Sequence, residues 1–391
     1  MFSSRRRTLA IPTIAVLMAA CVGSTSPPPS THGGRATGST PVAVAGTLAP
    51  IATMSSPRAV QSSTRLEDGR VLIAGGCSDP GCELGSPAGS TAELFDPQTG
   101  SFTATGDLAG FRDDHVAVLL EDGRVLIAGG WGTDGVLATT EIYEPQSGSF
   151  ASGPEMMSTR AGFSGVGLDD GRVLLAGGFL DNEPTTAAAE LFDPSDDSIT
   201  KTGSLTIPRG AYAAARLGDG RVLIAGGLSR GKIVATAEIY DPRTERFHPT
   251  GAMQIPRYKA AAVTLRDGTV MVIGGASDVE GGRLFASTEI YDPRRGTFHA
   301  GPSMRWARYK LAGSVVPLQD GSILVAGGAP VAERYDPAEG RFEAVPGDLG
   351  GDRLFLAATA VGSAGVLLTG GYDGSIVPTD QAWIYVIDPE R

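Results

Sequence analysis

The chain has 391 residues, a formal net charge of −11 and 41% hydrophobic residues, enough apolar content for one or two packed domains. An acidic chain without a basic tract is a poor match for nucleic acid, so none is expected as a partner. Three cysteines and four histidines leave few soft ligands, and neither a metal centre nor a cofactor is expected.

Residues 1–20 read as a targeting segment. Arg5-Arg6-Arg7 precede the apolar run Leu9–Ala20, which is too short for a bilayer span and suits a signal peptide. Leu17-Met18-Ala19-Ala20-Cys21 resembles a bacterial lipobox, with Met18 in place of the usual aliphatic residue. That resemblance implies export, lipidation of Cys21 and a membrane-anchored place in the cell envelope. Residues 1–20 hold three arginines and no acid, so their removal takes the formal charge from −11 to −14. Residues 21–40 are rich in Ser, Thr, Pro and Gly, including Pro27-Pro28-Pro29, and read as a tether. The rest, 41–391, is repetitive.

Gly-Gly pairs begin at Gly75, Gly129, Gly177, Gly226, Gly274, Gly327 and Gly370, with a mean spacing of about 49 residues. A fixed period of that size means stacked units, each too small to bury its own apolar face. Each unit predicts four short strands. An arginine opens an Ala/Gly/Ser-rich first strand, as in Arg209–Leu217. An Asp-Gly hairpin follows, expected as a type I′ turn. The second strand is a VLIAGG-like run, apolar without interruption and therefore buried on both faces. The third carries the pattern of TAEIYDP at Thr236–Pro242, and the fourth an aromatic seven residues past the third-strand aromatic, as in Tyr240/Phe247. Cys77 and Cys82 share one loop after the first Gly-Gly and predict a local disulfide, which leaves Cys21 over.

Gly-Gly after a hydrophobic strand, then Glu-x-Tyr-Asp-Pro, then a second aromatic resembles the kelch repeat. The resemblance implies an all-β, seven-bladed β-propeller of four-stranded antiparallel blades. The last unit lacks a fourth strand and Pro41–Leu48 lacks a partner, so this N-terminal strand is expected to complete the last blade and close the ring.

Ligand recognition is expected on the face that carries the variable loops. Arg58, Arg112, Arg160, Arg209, Arg257, Arg308 and Arg353 open the first strands, and Glu recurs on six third strands. These are read as repeated Arg–Glu or Arg–backbone contacts holding neighbouring blades. The alternative is a cationic ring at the channel mouth, in line with the arginine contacts to acidic ligands that the kelch resemblance implies. Departures from the repeat mark a candidate binding surface: Arg257-Tyr258-Lys259, Arg308-Tyr309-Lys310 and Trp306 on one side, Asp113, Asp114 and Trp131 on the other. Some kelch-type propellers are copper radical oxidases, which need paired His and Tyr ligands, and this chain has few histidines. His115 is a weak candidate for an acid/base, and an Arg–Glu pair is the alternative. The reading is a non-catalytic binding or scaffold protein for a protein or glycan ligand; the alternative is a carbohydrate-modifying enzyme of the sialic-acid epimerase (mutarotase) type.

Overall fold

The computed structural model describes residues 46–181, 184–362 and 365–387. The signal segment, Cys21, the tether, and Pro41–Ala45 of the expected closing strand lie outside them. Seven four-stranded antiparallel sheets follow one another, and no α-helix occurs among the described residues. In blade 4 the strands are Ala213–Arg216, Val222–Ala225, Ala237–Asp241 and Arg246–Thr250, ordered from the central axis outward. Small side chains let the inner strands crowd together.

The second strands are buried at every residue in all seven blades. The reason is the alternation of side chains between two neighbouring blades. Val71 and Ile73 pack with Leu367 of blade 7, while Leu72 and Ala74 pack with Val125, Ile127 and Tyr143 of blade 2. Each fully buried side chain of this size contributes about 1.5–3 kcal/mol. The expected aromatic pairs meet across the third and fourth strands, with ring centroids 4.8–5.2 Å apart.

Ring closure comes from the N-terminal segment, slightly later than the sequence suggested. Leu48–Pro50 pairs antiparallel with Ala382–Tyr385 of blade 7, in register Leu48↔Tyr385 and Pro50↔Trp383. The Gly46 N–H donates to the Val386 carbonyl at 2.8 Å and extends the pairing. The Asp-Gly hairpins also differ from expectation. Gly69 is left-handed at φ +90° whereas Asp68 is not, and the Gly69 N–H donates to the Leu66 carbonyl. This is a type I turn with a glycine bulge, in which the glycine alone needs positive φ. The Asp68 carboxylate accepts from the Arg70 N–H and fixes the turn from the side.

The repeated arginines are not in the strands. Arg209 lies four residues before Ala213 and is fully buried. It donates to the carbonyls of Gly226 and Thr236 and pairs with Glu238 at 2.9 Å. Six blades repeat this pair with N–O distances of 2.5–3.3 Å. The second carboxylate oxygen accepts a backbone N–H of the incoming linker, from Ser55, Ala109, Met157, Thr206 and Gln254 in blades 1 to 5; in blade 6 the Glu333 carboxylate accepts from Arg305. Blade 7 has Trp383 in the Glu position. There Arg353 donates to the Leu349 carbonyl and to Gln381, and lies over the Trp383 ring. The arginines thus form no uncompensated cationic ring. The side-chain pair also closes within one repeat. Neighbouring blades are tied by main chain, through the second glycine N–H donating to the next blade's arginine carbonyl. All seven ties are present at 2.7–3.2 Å, ending with Gly371 to Arg58.

Removing one partner of a buried pair strands the other charge. Glu238→Ala should therefore cost about 3–5 kcal/mol in denaturant unfolding, whereas Asp219→Ala, which removes the partner of half-exposed Arg221, should cost about 1 kcal/mol or less.

Candidate functional site: the channel mouth

Antiparallel pairing puts the start of each first strand and the end of each second strand at one end of the blade, as Ala213↔Ala225 shows. The arginine segments and the loops after Gly-Gly therefore share a face. The residue two past each arginine is left-handed in every blade: Val60, Asp114, Gly162, Ala211, Lys259, Lys310 and Phe355, with φ of 48–61°. Each N–H from Asp114 to Phe355 donates to the carbonyl of its counterpart in the preceding blade, at 2.8–3.4 Å. These six bonds run from Val60 to Phe355 and make a main-chain circle around the axis that is open only between those two residues. Non-glycine residues rarely adopt this conformation, and here the neighbouring blade holds it.

The circle gathers several of the sequence-predicted residues. Lys259 and Lys310 share the Phe355 ring, with Nζ 4.4 and 5.4 Å from its centroid. Lys310 donates to the Tyr372 hydroxyl at 2.7 Å and lies 4.9 Å from the Tyr309 ring. Tyr258 is buried and its ring lies 5.6 Å from Lys259 Nζ. Asp114 and buried Asp113 act electrostatically on Lys259 from blade 2. Below the circle, the channel is a cavity of about 320 Å³ lined by Ser62, Ser63, Thr64, Asp114, His115 and Phe355 among others. Phe355 and Tyr372, which complete the cluster, were missed from sequence. Phe355 could have been found by counting two residues from Arg353.

Other candidates stand apart. Trp131 meets Asp113 only through an antiparallel backbone bridge. The Trp306 ring stacks with Arg305, and the Trp306 backbone N–H donates to Glu333. Arg257 and Arg308 are committed to their glutamates. His115 Nε2 is 2.9 Å from the Ser62 hydroxyl.

Burial sets the charge states. It pushes the Asp113 carboxyl up to about 8, with Asp114 adding to it and Lys259 opposing. Asp114 is raised by burial against the pull of Lys259. Lys310 is brought down to about 8 by burial and then by the Lys259 ammonium. Lys259 is also lowered by burial, but Asp114 and Asp113 oppose that. Burial, then Arg112, hold His115 down at about 3, so its imidazole is neutral at physiological pH and only weakly basic. The predicted disulfide joins Cys77 and Cys82. Both sulfurs lie within 4.8 Å of an Asp113 carboxylate oxygen, and as a disulfide they offer no thiolate to a metal.

The shifts have opposite signs for stability. His115 titrates lower in the folded chain than unfolded, so its contribution is complete above pH 6.5 and lost as pH falls toward 3. Asp113 titrates higher when folded, so its contribution is complete below pH 3.8 and lost as pH rises through 8. Between pH 6.5 and 5, His115→Gln should show a smaller loss of Tm on acidification than the parent chain. Asp113→Asn should show a smaller loss than the parent between pH 6 and 8. Parallel thermal melts across pH check both.

Residues 209–254 and 257–305, which span blades 4 and 5, match the Kelch motif. No curated protein matches the chain by sequence. Among solved structures it is similar to a fungal alcohol oxidase of the AA5 family in complex with copper, with 17% identity and a TM-score of 0.71, covering 88% of this chain and 77% of that one. At that identity the likeness concerns the fold alone. Among the described residues the histidines do not fit copper: His248 and His299 are exposed on the outer strands of blades 4 and 5, at the blade edges opposite the channel, and His115 is engaged with Ser62. Kelch motifs on two blades, set in a ring of seven four-stranded sheets, support a kelch-repeat β-propeller.

Proposed function

We propose that this chain is an exported binding protein of the cell envelope that takes an acidic ligand, carried by a glycan or a protein, at the channel mouth. One observation carries the reading: two lysines converge on one aromatic ring, and neither forms an ion pair with a carboxylate among the described residues. Half-buried ammonium groups beside tyrosine hydroxyls suit a carboxylate, because both donate and the surroundings exclude much of the competing water. The propeller supplies a rigid frame, so little ordering is needed on binding. An acid–base enzyme acting on a sugar is the second reading, favoured by Asp113 and Lys310 titrating near neutrality.

Thermal melts of residues 41–391 with glucuronate, N-acetylneuraminate and glucose test the first reading. A ligand that binds only the folded state raises its stability, by about 2.7 kcal/mol at a hundredfold excess over Kd. The acids should raise Tm and glucose should not. Lys310→Ala should abolish the shift, and Trp306→Ala, which lies outside the cluster, should keep it. A flat response to both acids would overturn recognition of free acidic sugars and direct the search to protein ligands.

The export reading rests on Arg5-Arg6-Arg7 and the segment ending at Cys21. In a bacterial host, the full chain should partition with membranes and Cys21→Ser should release it; a parent chain found in the soluble fraction would overturn the anchor.

A further inference from the structure

We propose that Lys310 is a carbonyl-reactive amine that condenses with the keto group of a 2-oxo acid bound at the channel mouth. The acid's carboxylate is the feature read above as the ligand, so the substrate class rests on that reading; the amine's reactivity does not.

The chain uses lysine very sparingly. It contains four, Lys201, Lys232, Lys259 and Lys310, and every ion pair among the described residues is made by arginine instead. Two of the four lysines occupy adjacent positions of the main-chain circle. Lysine differs from arginine in that its nitrogen can lose a proton and present a lone pair. A lysine becomes nucleophilic when it is desolvated beside another cation, and that is the setting of Lys310. Its Nζ is enclosed by the Tyr309, Phe355 and Tyr372 rings at 4.9–5.4 Å, and Lys259 reaches over the same Phe355 ring.

The two lysines have different surroundings. Asp114 and Asp113 favour the proton on Lys259, whereas Lys310 feels burial and the Lys259 charge alone. Lys259 is thus the better partner for a carboxylate, and Lys310 the better source of a free amine. With its titration near 8, Lys310 is neutral in roughly a tenth of molecules at pH 7, some hundreds of times the fraction for an ordinary lysine.

The step balances without an oxidant or reductant. The Nζ lone pair attacks the keto carbon, and the carbonyl π pair moves to oxygen, which takes a proton. Nitrogen then loses a proton; the resulting hydroxyl takes a second proton and leaves as water while the nitrogen lone pair forms the C=N bond, giving the protonated imine. Tyr372, whose hydroxyl is 2.7 Å from Nζ and is kept protonated by burial, is placed to pass these protons.

The test is incubation of residues 41–391 with pyruvate, followed by sodium borohydride, which reduces the imine to a stable secondary amine. Peptide mass mapping then locates the adduct. The expected result is one adduct per chain, on Lys310, with the exposed Lys201 and Lys232 as internal controls at background. Lys310→Arg should lose the adduct while keeping the parent Tm. Tyr372→Phe should slow labelling by about a hundredfold, the low end of the range for a lost acid–base group. Labelling spread over Lys201 and Lys232, or unchanged in Lys310→Arg, overturns the proposal.

Lactate, which has the carboxylate and no keto group, separates the two claims. Lys310 labelling that lactate suppresses supports both. Labelling that lactate does not affect supports the reactive amine and counts against acid recognition. A Tm shift with lactate and no borohydride adduct overturns the amine and leaves acid recognition standing.

Discussion

The molecule depends on a buried arginine that does two things at once. Its guanidinium gathers its own blade: the first Gly-Gly carbonyl, the loop carbonyls and the third-strand glutamate all converge on it. Its carbonyl accepts from the Gly-Gly of the blade before. A buried charge is tolerable only when it is paired, and here the groups that meet the two terminal nitrogens of Arg209 also fix the geometry of the mouth. The Gly-Gly pair follows from that closeness. A Cβ at Gly129 would stand 2.4 Å from the Arg160 carbonyl oxygen, and one at Gly130 would stand 2.4 Å from that of Asp113. Both glycines are also left-handed, so space and backbone conformation make the same demand.

Much of this was legible in the sequence because the repeat supplies its own controls. A residue that returns in unit after unit, such as Arg209 in all seven and its partner Glu238 in six, belongs to the frame, and the structure places the two in an ion pair. The unbroken apolar run at Val222–Ala225 meant burial on both faces, and the two adjoining blades supply it. The missing strand of the last unit pointed to the N-terminal segment, although the pairing is centred on Leu48–Pro50. The turn type was misread because Asp-Gly suits two hairpin geometries, and the hydrogen bond to Leu66 decides between them.

The candidate site was only half legible. Lys259, Lys310, Asp113 and Asp114 stood out as departures from the repeat, and they do converge. Charge alone does not single them out, since Asp79, Glu83, Arg230, Lys232 and Arg283 in the loops are charged and exposed as well. What selects the inner members is the left-handed residue two past each arginine. No propensity announces it, since valine, alanine and phenylalanine adopt it beside glycine. It is imposed by the neighbouring blade through the main-chain bond, a tertiary constraint that local sequence does not carry. Trp306 looked like part of the same surface because it is close in sequence to Lys310, but its backbone follows Glu333 and its ring takes Arg305.

The main-chain circle separates mechanical work from chemical identity. Its bonds are made by N–H and carbonyl groups that every residue except proline possesses, so they do not depend on which side chain each position bears. Valine, aspartate, glycine, alanine, two lysines and phenylalanine are all held on the same support. The centre of the propeller thus works as a seven-socket holder: one side chain can be exchanged at a time, at the cost of a left-handed residue, while the blades around it keep their ties.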